Sequence, residues 1–242
     1  MNKQIPFDKI LFLDIETVPQ AQNYAELDEK TKSLFEAKNR FQIGPDKTIE
    51  QVFDERGGIL SEFGKIVCIS VGMLRENSYE KTIRLKSFYH EDEQTLLGQF
   101  KKLLEDHYNS PYHLLCGHNS KEFDIPYICR RMLINGIQLP SILQISGKKP
   151  WEINHIDTME LWKFGDYKTF TSLSLLCHVM GIPTPKDDIS GADVARVYYE
   201  ESDLERIMVY CEKDVVALIQ LYLKLQGEAL VEDVNISSAS VK

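Results

Sequence analysis

Two carboxylates stand at the end of an apolar run near the start of the chain, Asp14 and Glu16 in LFLDIETVP, residues 11–19. The apolar residues 10–13 before them predict a strand covered on both faces, and Pro19 cannot continue a sheet ladder. The acids are therefore expected near the carboxyl end of a strand, where open α/β sheets tend to bind ligands. Such a pair is either a solvated strand terminus or the start of a site, and the pair alone leaves both interpretations open.

Two later acids fall on helical turns that are predicted to face the core. Asp214 follows the apolar Cys211 by three residues in the last helix, and Tyr210 lies one turn earlier on the same side. An ionised carboxylate on such a face needs a cation, hydrogen bonds or water, because leaving it unpaired costs on the order of several kcal/mol. Asp124 lies near the start of another helix, and taken alone it is better explained as an acid favoured by the helix dipole.

The hydrophobic pattern predicts the elements that must position these acids. Three strands precede the first strong helix, and helices and strands alternate after it, which predicts a single α/β domain over residues 1–228. The tail, residues 229–242, is predicted to be disordered. After the first strand, strands are predicted within residues 65–74, 81–89, 112–119 and 153–157, and helices within residues 25–39, 92–107, 123–134, 171–181 and 204–225.

Composition excludes several classes of protein. No apolar stretch approaches the length that crosses a bilayer, and the N-terminus lacks a signal-peptide core, so we expect a cytoplasmic protein with no membrane association. The cysteines are five and form no C-x-x-C pair, which implies neither disulfides nor zinc. The formal net charge of -9 argues against a protein that holds nucleic acid through a broad basic face.

The acids belong to an ordered set of three motifs. Each motif is weak by itself, but their order, their separation along the chain and their predicted placement carry weight together. The motifs are D-x-E (Asp14, Glu16), HNSKEFD (His118, Asn119, Phe123, Asp124) and YCEKD (Tyr210, Asp214). The set resembles the three exonuclease motifs of the DEDDy branch of 3′-5′ exonucleases, and the flanking sequence is similar to stand-alone bacterial proteins related to the proofreading domain of family B DNA polymerases.

This resemblance, which runs from about residue 10 to 225, implies a ribonuclease H-like fold. The expected sheet is mixed, with about five strands of which the first three are antiparallel, and with helices on both faces. The implied activity is hydrolysis of phosphodiester bonds at the 3′ end of single-stranded DNA, releasing nucleoside 5′-monophosphates. An exoribonuclease or small-oligonucleotide hydrolase on the same scaffold is the alternative, and a non-catalytic nucleic-acid-binding module is a weaker one.

The resemblance also implies a role for each acid. Phosphodiester hydrolysis of this kind uses two divalent ions, Mg²⁺ or Mn²⁺, which prefer carboxylate and water oxygens. Asp14 would bridge both ions, Glu16 and Asp214 would complete the ion on the nucleophile side, and Asp124 would hold the ion on the leaving-group side. Tyr210 would orient the attacking water.

The expected substrate contacts are fewer and less specific. Thr17, Asn119 and Phe123 are expected to bind the substrate, whereas His118 is as well explained by a structural hydrogen bond and Asp157 by capping of the next helix. Because the chain is acidic, we expect it to hold only the last nucleotides of a 3′ end, or to act with an unidentified protein partner that supplies affinity. The candidate cations and stacking aromatics are Lys121, Lys148, Lys149, Lys168, Phe123, Trp151 and Trp162.

Overall fold

The computed structural model describes residues 5–166, 170–183 and 189–240. Their strands form one six-stranded sheet in the order β5-β4-β1-β2-β3-β6. β1 and β2 are antiparallel, as are β2 and β3, while β4 pairs parallel with β1 and β5 parallel with β4. The predicted mixed sheet with its first three strands antiparallel is confirmed. The strands are β1 (Ile10–Pro19), β2 (Gly64–Glu76), β3 (Lys81–Tyr89), β4 (Leu114–Gly117), β5 (Ile156–Asp157) and β6 (Ile236–Ser238).

Helices cover both faces of this sheet, as predicted. On one face, Leu13 and Ile15 of β1 pack with residues of α3 and α4. On the other face, Ile10 and Phe12 pack with residues of α8. The alternation of side chains along β1 therefore divides the core in two layers. The helices are α1 (Glu29–Asn39), α2 (Ile49–Arg56), α3 (Glu93–His107), α4 (Asp124–Ile134), α5 (Thr158–Lys163), α6 (Leu173–Val179), α7 (Val194–Arg196) and α8 (Leu204–Leu225).

A glycine on β2 lets α8 approach the sheet closely. A Cβ atom added at Gly72 would stand 2.6 Å from Cδ1 of Ile219 and 2.7 Å from Cγ1 of Val215. Any side chain at this position would push α8 away, because packed interiors leave no room for an added atom at that distance. The close approach also sets the distance between the sheet and Tyr210 and Asp214, which lie on α8.

The C-terminal segment differs from the predicted disordered tail, residues 229–242. Residues 236–238 form β6, which pairs parallel with β3 and adds a strand to the five expected. The hydroxyls of Ser238 and Ser240 donate to Oε1 of the buried Glu212 at 2.9 and 2.7 Å. The serine-rich composition suggests a solvated tail, yet these serines satisfy a buried carboxylate instead. The prediction of disorder is therefore corrected for residues 229–240, which the structure describes.

Within the described residues, no helix combines the length and the apolar character needed to span a membrane.

Candidate active site

The carboxyl half of β1 directs two carboxylates to the face that α8 covers. Asp14 pairs with Ser70 of β2, and Glu16 pairs with Cys68. Since successive side chains point to opposite faces, Asp14 and Glu16 share one face while Ile15 enters the core on the other. The register shifts directly after Glu16, and such irregularities are common next to functional sites because they re-aim a side chain.

Helix α8 crosses this face at the position of the two acids. The thiol of Cys211 lies 3.5 Å from Oδ2 of Asp14, and one ligand atom from each of Asp14, Glu16 and Cys211 fits within 4.8 Å of the others. Asp214, one turn further along α8, interacts electrostatically with both Asp14 and Glu16. The structure thus brings the first and third motifs together.

Asp124 joins the group from the other side of β1. It is the first residue of α4 and is buried, and its carboxylate accepts a hydrogen bond from the backbone N–H of Ile15, between the two β1 acids. Its charge also raises the pKa of Asp14. The helix start that explains Asp124 in isolation therefore also places its carboxylate against the β1 acids.

Burial and mutual repulsion make this group costly to ionise without a cation. Burial, followed by the charges of Asp124 and Asp214, raises the pKa of Asp14 well above its usual range. Burial and then the charge of Asp14 do the same for the pKa of Glu16, and burial raises the pKa of Asp124 to about 7. No lysine, arginine or histidine in the described ranges forms an ion pair with Asp14, Glu16 or Asp124. A divalent cation would supply the missing charge.

Tyr210 stands beside the acids on α8. Its half-buried hydroxyl is hydrogen-bonded to the carboxylate of Asp214, four residues later. Burial, then the nearby charges of Asp214 and Glu16, raise the pKa of Tyr210 above that of a free phenol. The side chain therefore stays protonated at neutral pH, which suits a hydrogen-bonding role and excludes that of a general base.

The loop after β4 forms the wall next to Asp14. Because β4 runs parallel to β1, with Cys116 opposite Phe12, the loop residues after Gly117 lie beside the end of β1. Asn119 adopts a left-handed backbone with φ 60°, and its Oδ1 is one of two buried side-chain atoms in the described part of the chain that have no hydrogen-bond partner; the other is Oγ of Ser120. A buried amide oxygen without a hydrogen-bond partner is rare in folded proteins, which sets Asn119 apart from the rest of the loop.

Two neighbouring residues hold that wall in place. Asp157 accepts from the backbone N–H groups of Asn119 and Met159 at 2.9 Å and of Lys121 at 3.1 Å, so it caps α5 and fastens the loop at once. The Nε2 of His118 lies 2.8 Å from the carbonyl oxygen of Thr171, and burial lowers the pKa of His118. Both residues have the structural contacts that the sequence suggested for them.

Thr17 and Phe123 meet through a shared neighbour. The hydroxyl of Thr17 hydrogen-bonds to the phenol of Tyr127, whose own hydroxyl donates to the carbonyl of Gly58 at 2.6 Å. The Phe123 ring packs against Tyr127 with 5.4 Å between ring centroids. Both predicted substrate residues are half-buried between β1 and α4, close to Asp124 at the start of α4.

The candidate cations and aromatics are distributed unevenly. Lys121 forms an ion pair with Glu160 at 2.8 Å. Lys148 lines a cavity of about 360 Å³ with Leu114, the first residue of β4, and so lies at the strand end opposite the acids. Lys149 lies over the exposed ring of Trp151, while Trp162 packs against the cluster between α6 and α8. Lys168 lies outside the described residues.

Cys211 is the site residue that the sequence interpretation missed. A reduced cysteine in an apolar helical stripe is normally a small core side chain, and Cys211 is fully buried. Burial also raises the pKa of its thiol well above the usual range, so it stays a hydrogen-bond donor to Asp14. The sequence signal for Cys211 was its position three residues before Asp214, which puts both residues on the same side of the helix.

The donor set fits hard divalent cations. The charges gathered at the end of β1 are carboxylates, and carboxylate oxygens are the ligands that Mg²⁺ and Mn²⁺ prefer. The raised pKa values of Asp14, Glu16 and Asp124 arise from burial and from like charges, both of which a bound cation would offset. The cluster is therefore a possible acidic metal-binding site.

Comparison with known proteins matches the chain to a protein family and its fold to a solved structure. A family model described as "Predicted 3'-5' exonuclease related to the exonuclease domain of PolB" matches residues 59–234. That range contains Asp124, Tyr210 and Asp214 and begins after Asp14 and Glu16. A search of curated proteins finds no match.

The fold is similar to part of a solved polymerase. The chain aligns with the family B DNA polymerase from the hyperthermophilic archaeon Pyrobaculum calidifontis at a TM-score of 0.55 and 16% identity. The alignment covers 90% of this chain and 24% of the polymerase, so the chain spans about a quarter of that protein's length. This likeness shows the ribonuclease H-like fold that the sequence predicted.

Proposed function

The chain belongs to the family of predicted 3′-5′ exonucleases related to the exonuclease domain of PolB, and on this premise we propose that it removes nucleotides from the 3′ end of single-stranded DNA. The proposed products are nucleoside 5′-monophosphates. The observation that carries the proposal is the group of carboxylates from β1, α4 and α8, whose charges raise one another's pKa values at the end of β1. The loop that contains Asn119 lies at the same end of the sheet.

We propose that Asp14, Glu16, Asp124 and Asp214 hold two divalent ions, Mg²⁺ or Mn²⁺. When bound, such ions lower the pKa of a water molecule and stabilise the charge that develops on the attacking and leaving oxygens. The protein's own part is to hold four carboxylates together, of which Glu16 and Asp124 are buried and Asp14 and Asp214 half-buried. The backbone N–H of Ile15, bonded to Asp124, fixes one of them directly to the strand that carries two others.

Tyr210 is proposed to orient the attacking water. Its phenol stays protonated and is already hydrogen-bonded to Asp214, so it can exchange one hydrogen bond for another without a change in charge. Asn119 has an amide oxygen without a hydrogen-bond partner, and Phe123 packs against Tyr127 near Thr17. These three residues are proposed to contact the terminal nucleotide.

The remaining proposals concern the extent of the domain, its cellular location and the source of its affinity for nucleic acid. The described strands all belong to one sheet, which supports a single catalytic domain that extends beyond the predicted residues 1–228 to include β6. The five cysteines are free thiols, which supports a cytoplasmic location. Two bound ions would leave the formal charge of -9 well below zero, and this supports either short substrate contacts or a protein partner that supplies affinity.

The experiment uses one strand labelled separately at its 3′ and 5′ ends, as DNA and as RNA, with Mg²⁺, with Mn²⁺ and with EDTA. We expect the 3′ label to leave first as a mononucleotide, the 5′-labelled product to shorten stepwise, and EDTA to stop both. Faster cutting of RNA would favour the exoribonuclease alternative. Internal cuts, or release from the 5′ end, would refute the proposal, and strand binding without hydrolysis would favour a binding module.

A further inference from the structure

A lysine and two tyrosines lie beyond Glu16 on the face of the sheet that carries the acids. Lys65 of β2 pairs with Val18, two residues after Glu16 on β1. Its Nζ lies 2.9 Å from the hydroxyl of Tyr198 and 4.6 and 5.8 Å from the ring centroids of Tyr198 and Tyr199. Two residues along a strand span roughly 7 Å, a length that one nucleotide can cover.

An unusual turn presents the two tyrosines. Residues 197–201 form a single π-helical turn between α7 and α8, and Ser202 closes it with φ 54°. The hydroxyl of Tyr199 donates to the carbonyl of Pro19 at 2.6 Å, which fastens the turn to the end of β1. The two rings meet edge to face, 4.9 Å apart. π-helical turns of this kind occur frequently at functional sites.

The ammonium of Lys65 lies near the acidic site without a carboxylate partner among the described residues. None of the described carboxylates forms an ion pair with it, whereas Lys121, on the loop after β4, is neutralised by Glu160. Lys65 is half-buried and its partner is the neutral hydroxyl of Tyr198. That hydroxyl accepts from Lys65, so it retains a proton that it can donate to another acceptor. Two donors thus stand side by side, one of them cationic.

We propose that Lys65 and Tyr198, supported by Tyr199, bind a phosphodiester group of the nucleic-acid strand next to the bond that is cut. The inference rests on the proposed function and deepens it, because it assigns the recognition of the strand to one charged contact close to the acids. An ammonium and a hydroxyl both donate hydrogen bonds to phosphate oxygens. The contact is to the backbone, so it carries no sequence preference.

The test is the salt dependence of binding to a 5′-fluorescein oligo(dT) strand. Dissociation constants are measured by anisotropy in Ca²⁺ between 50 and 300 mM salt, for wild type, Lys65→Met, Lys65→Arg and Lys86→Met. Losing one phosphate contact reduces the slope of log Kd against log salt by about 0.7 for a single strand. We expect this reduction, and a Kd raised about three- to tenfold at low salt, for Lys65→Met only.

Lys86 is the matched control. It lies on β3 against the ring of Phe88, with Nζ 5.1 Å from the centroid, and removing it changes the net charge equally. It pairs with Val71, which belongs to the core layer of α3 and α4, on the face opposite the acids. Equal slopes for Lys65→Met and wild type, or equal losses for Lys65→Met and Lys86→Met, would overturn the subsite.

A second arm locates the phosphate and guards against a folding defect. Strands with a neutral methylphosphonate at one of the last four linkages are compared, and one position should weaken wild type while leaving Lys65→Met unaffected. Tyr198→Phe keeps the ring and should raise Kd without changing the salt slope.

If no methylphosphonate position distinguishes wild type from Lys65→Met, the subsite is refuted. Hydrolysis without Lys65 dependence refutes only the subsite, whereas Lys65-dependent binding without hydrolysis refutes only the proposed function.

Discussion

The sulfur of Cys211 lies 3.5 Å from both the carbonyl oxygen and Oδ2 of Asp14. This contact joins the centre of β1 to α8 one turn before Asp214. Cys211 is fully buried, so the space between strand and helix is filled at this point. The distance between the first and third motif acids therefore depends on the size of one core side chain.

Enlarging Cys211 should weaken the metal site. We expect Cys211→Leu to lower metal affinity at least about tenfold, because overpacking shifts backbones and carboxylates must converge on one ion. Cys116→Leu, at an equally buried thiol on β4, should destabilise the fold comparably but leave metal affinity within about twofold. Isothermal titration with Mn²⁺ measures both. Equal affinity for Cys211→Leu and wild type would show that the contact does not position the acids.

Removing one acid should separate metal binding from stability. In Asp14→Asn, thermal unfolding in EDTA at pH 8 should occur at a higher temperature than in wild type, since like charges repel in the metal-free cluster. The stabilisation by millimolar Mg²⁺ or Mn²⁺, and hydrolysis, should be lost. Asp54→Asn removes the same charge from an exposed position and should behave as wild type. A metal-induced shift that survives in Asp14→Asn would refute the assignment of this ligand.

Stability of the metal-free protein should depend on pH through Asp124. Burial raises the pKa of Asp124 from the ordinary 3.8 to about 7, so between these values the folded state holds more protons than the unfolded state. The contribution of Asp124 to stability is then present at low pH and is lost as the pH rises through about 7.

The effect of Asp124 is measured as the difference in free energy of unfolding between wild type and Asp124→Asn, because other groups titrate in the same pH range. Burial lowers the pKa of His118 and takes that of His155 to about 4, and both act in the opposite sense. Urea unfolding of wild type and Asp124→Asn in EDTA at pH 5, 6, 7 and 8 cancels these terms. Relative to wild type, Asp124→Asn should gain stability up to pH 7 and level off above it, and a constant difference would contradict the raised pKa.

Tyr210→Phe distinguishes orientation of water from packing. If the hydroxyl positions the nucleophile, turnover at saturating metal and substrate should fall at least about tenfold, roughly 1.4 kcal/mol of barrier, with binding unchanged. If it only packs, the loss is at most about 1 kcal/mol of stability. Tyr222→Phe, further along α8 and edge-on to Phe12, is the control. Single-turnover rates equal to wild type would remove Tyr210 from the catalytic set.

The C-terminal strand should contribute stability through Glu212. Replacing Ser238 and Ser240 by Ala removes two hydroxyl donors from Oε1 of this buried carboxylate, and we expect a loss of about 1–3 kcal/mol in the free energy of unfolding. Ser237→Ala, at the exposed position directly before Ser238, should be neutral. Urea unfolding of the two variants decides the matter. Equal stability would mean that these two hydroxyl contacts to Glu212 do not stabilise the fold.

The order and type of most elements could be read from the sequence because their signals are local. Predicted strand 81–89 and helix 204–225 agree with the observed bounds of β3 and α8 to the residue. The apolar periods of 2 and 3.6 residues that indicate them are properties of neighbouring residues. Asp14, Glu16, Asp124, Tyr210 and Asp214 were found in the same way, from an ordered pattern along the chain. Their roles at the site remain proposals for the experiments above.

What the sequence did not determine are the contacts between distant segments. Cys211 reads as a core cysteine, Lys65 as a strand lysine and the serines near 238 as a solvated tail, since each assignment uses only adjacent residues. Their partners, Asp14, Tyr198 and Glu212, are supplied by other strands and helices. The amino-acid sequence by itself determined which acids are present and on which elements they lie. Only the tertiary structure decided that β1, α4 and α8 gather them, because that depends on strand order, the register shift after Glu16 and the close approach of α8 over Gly72.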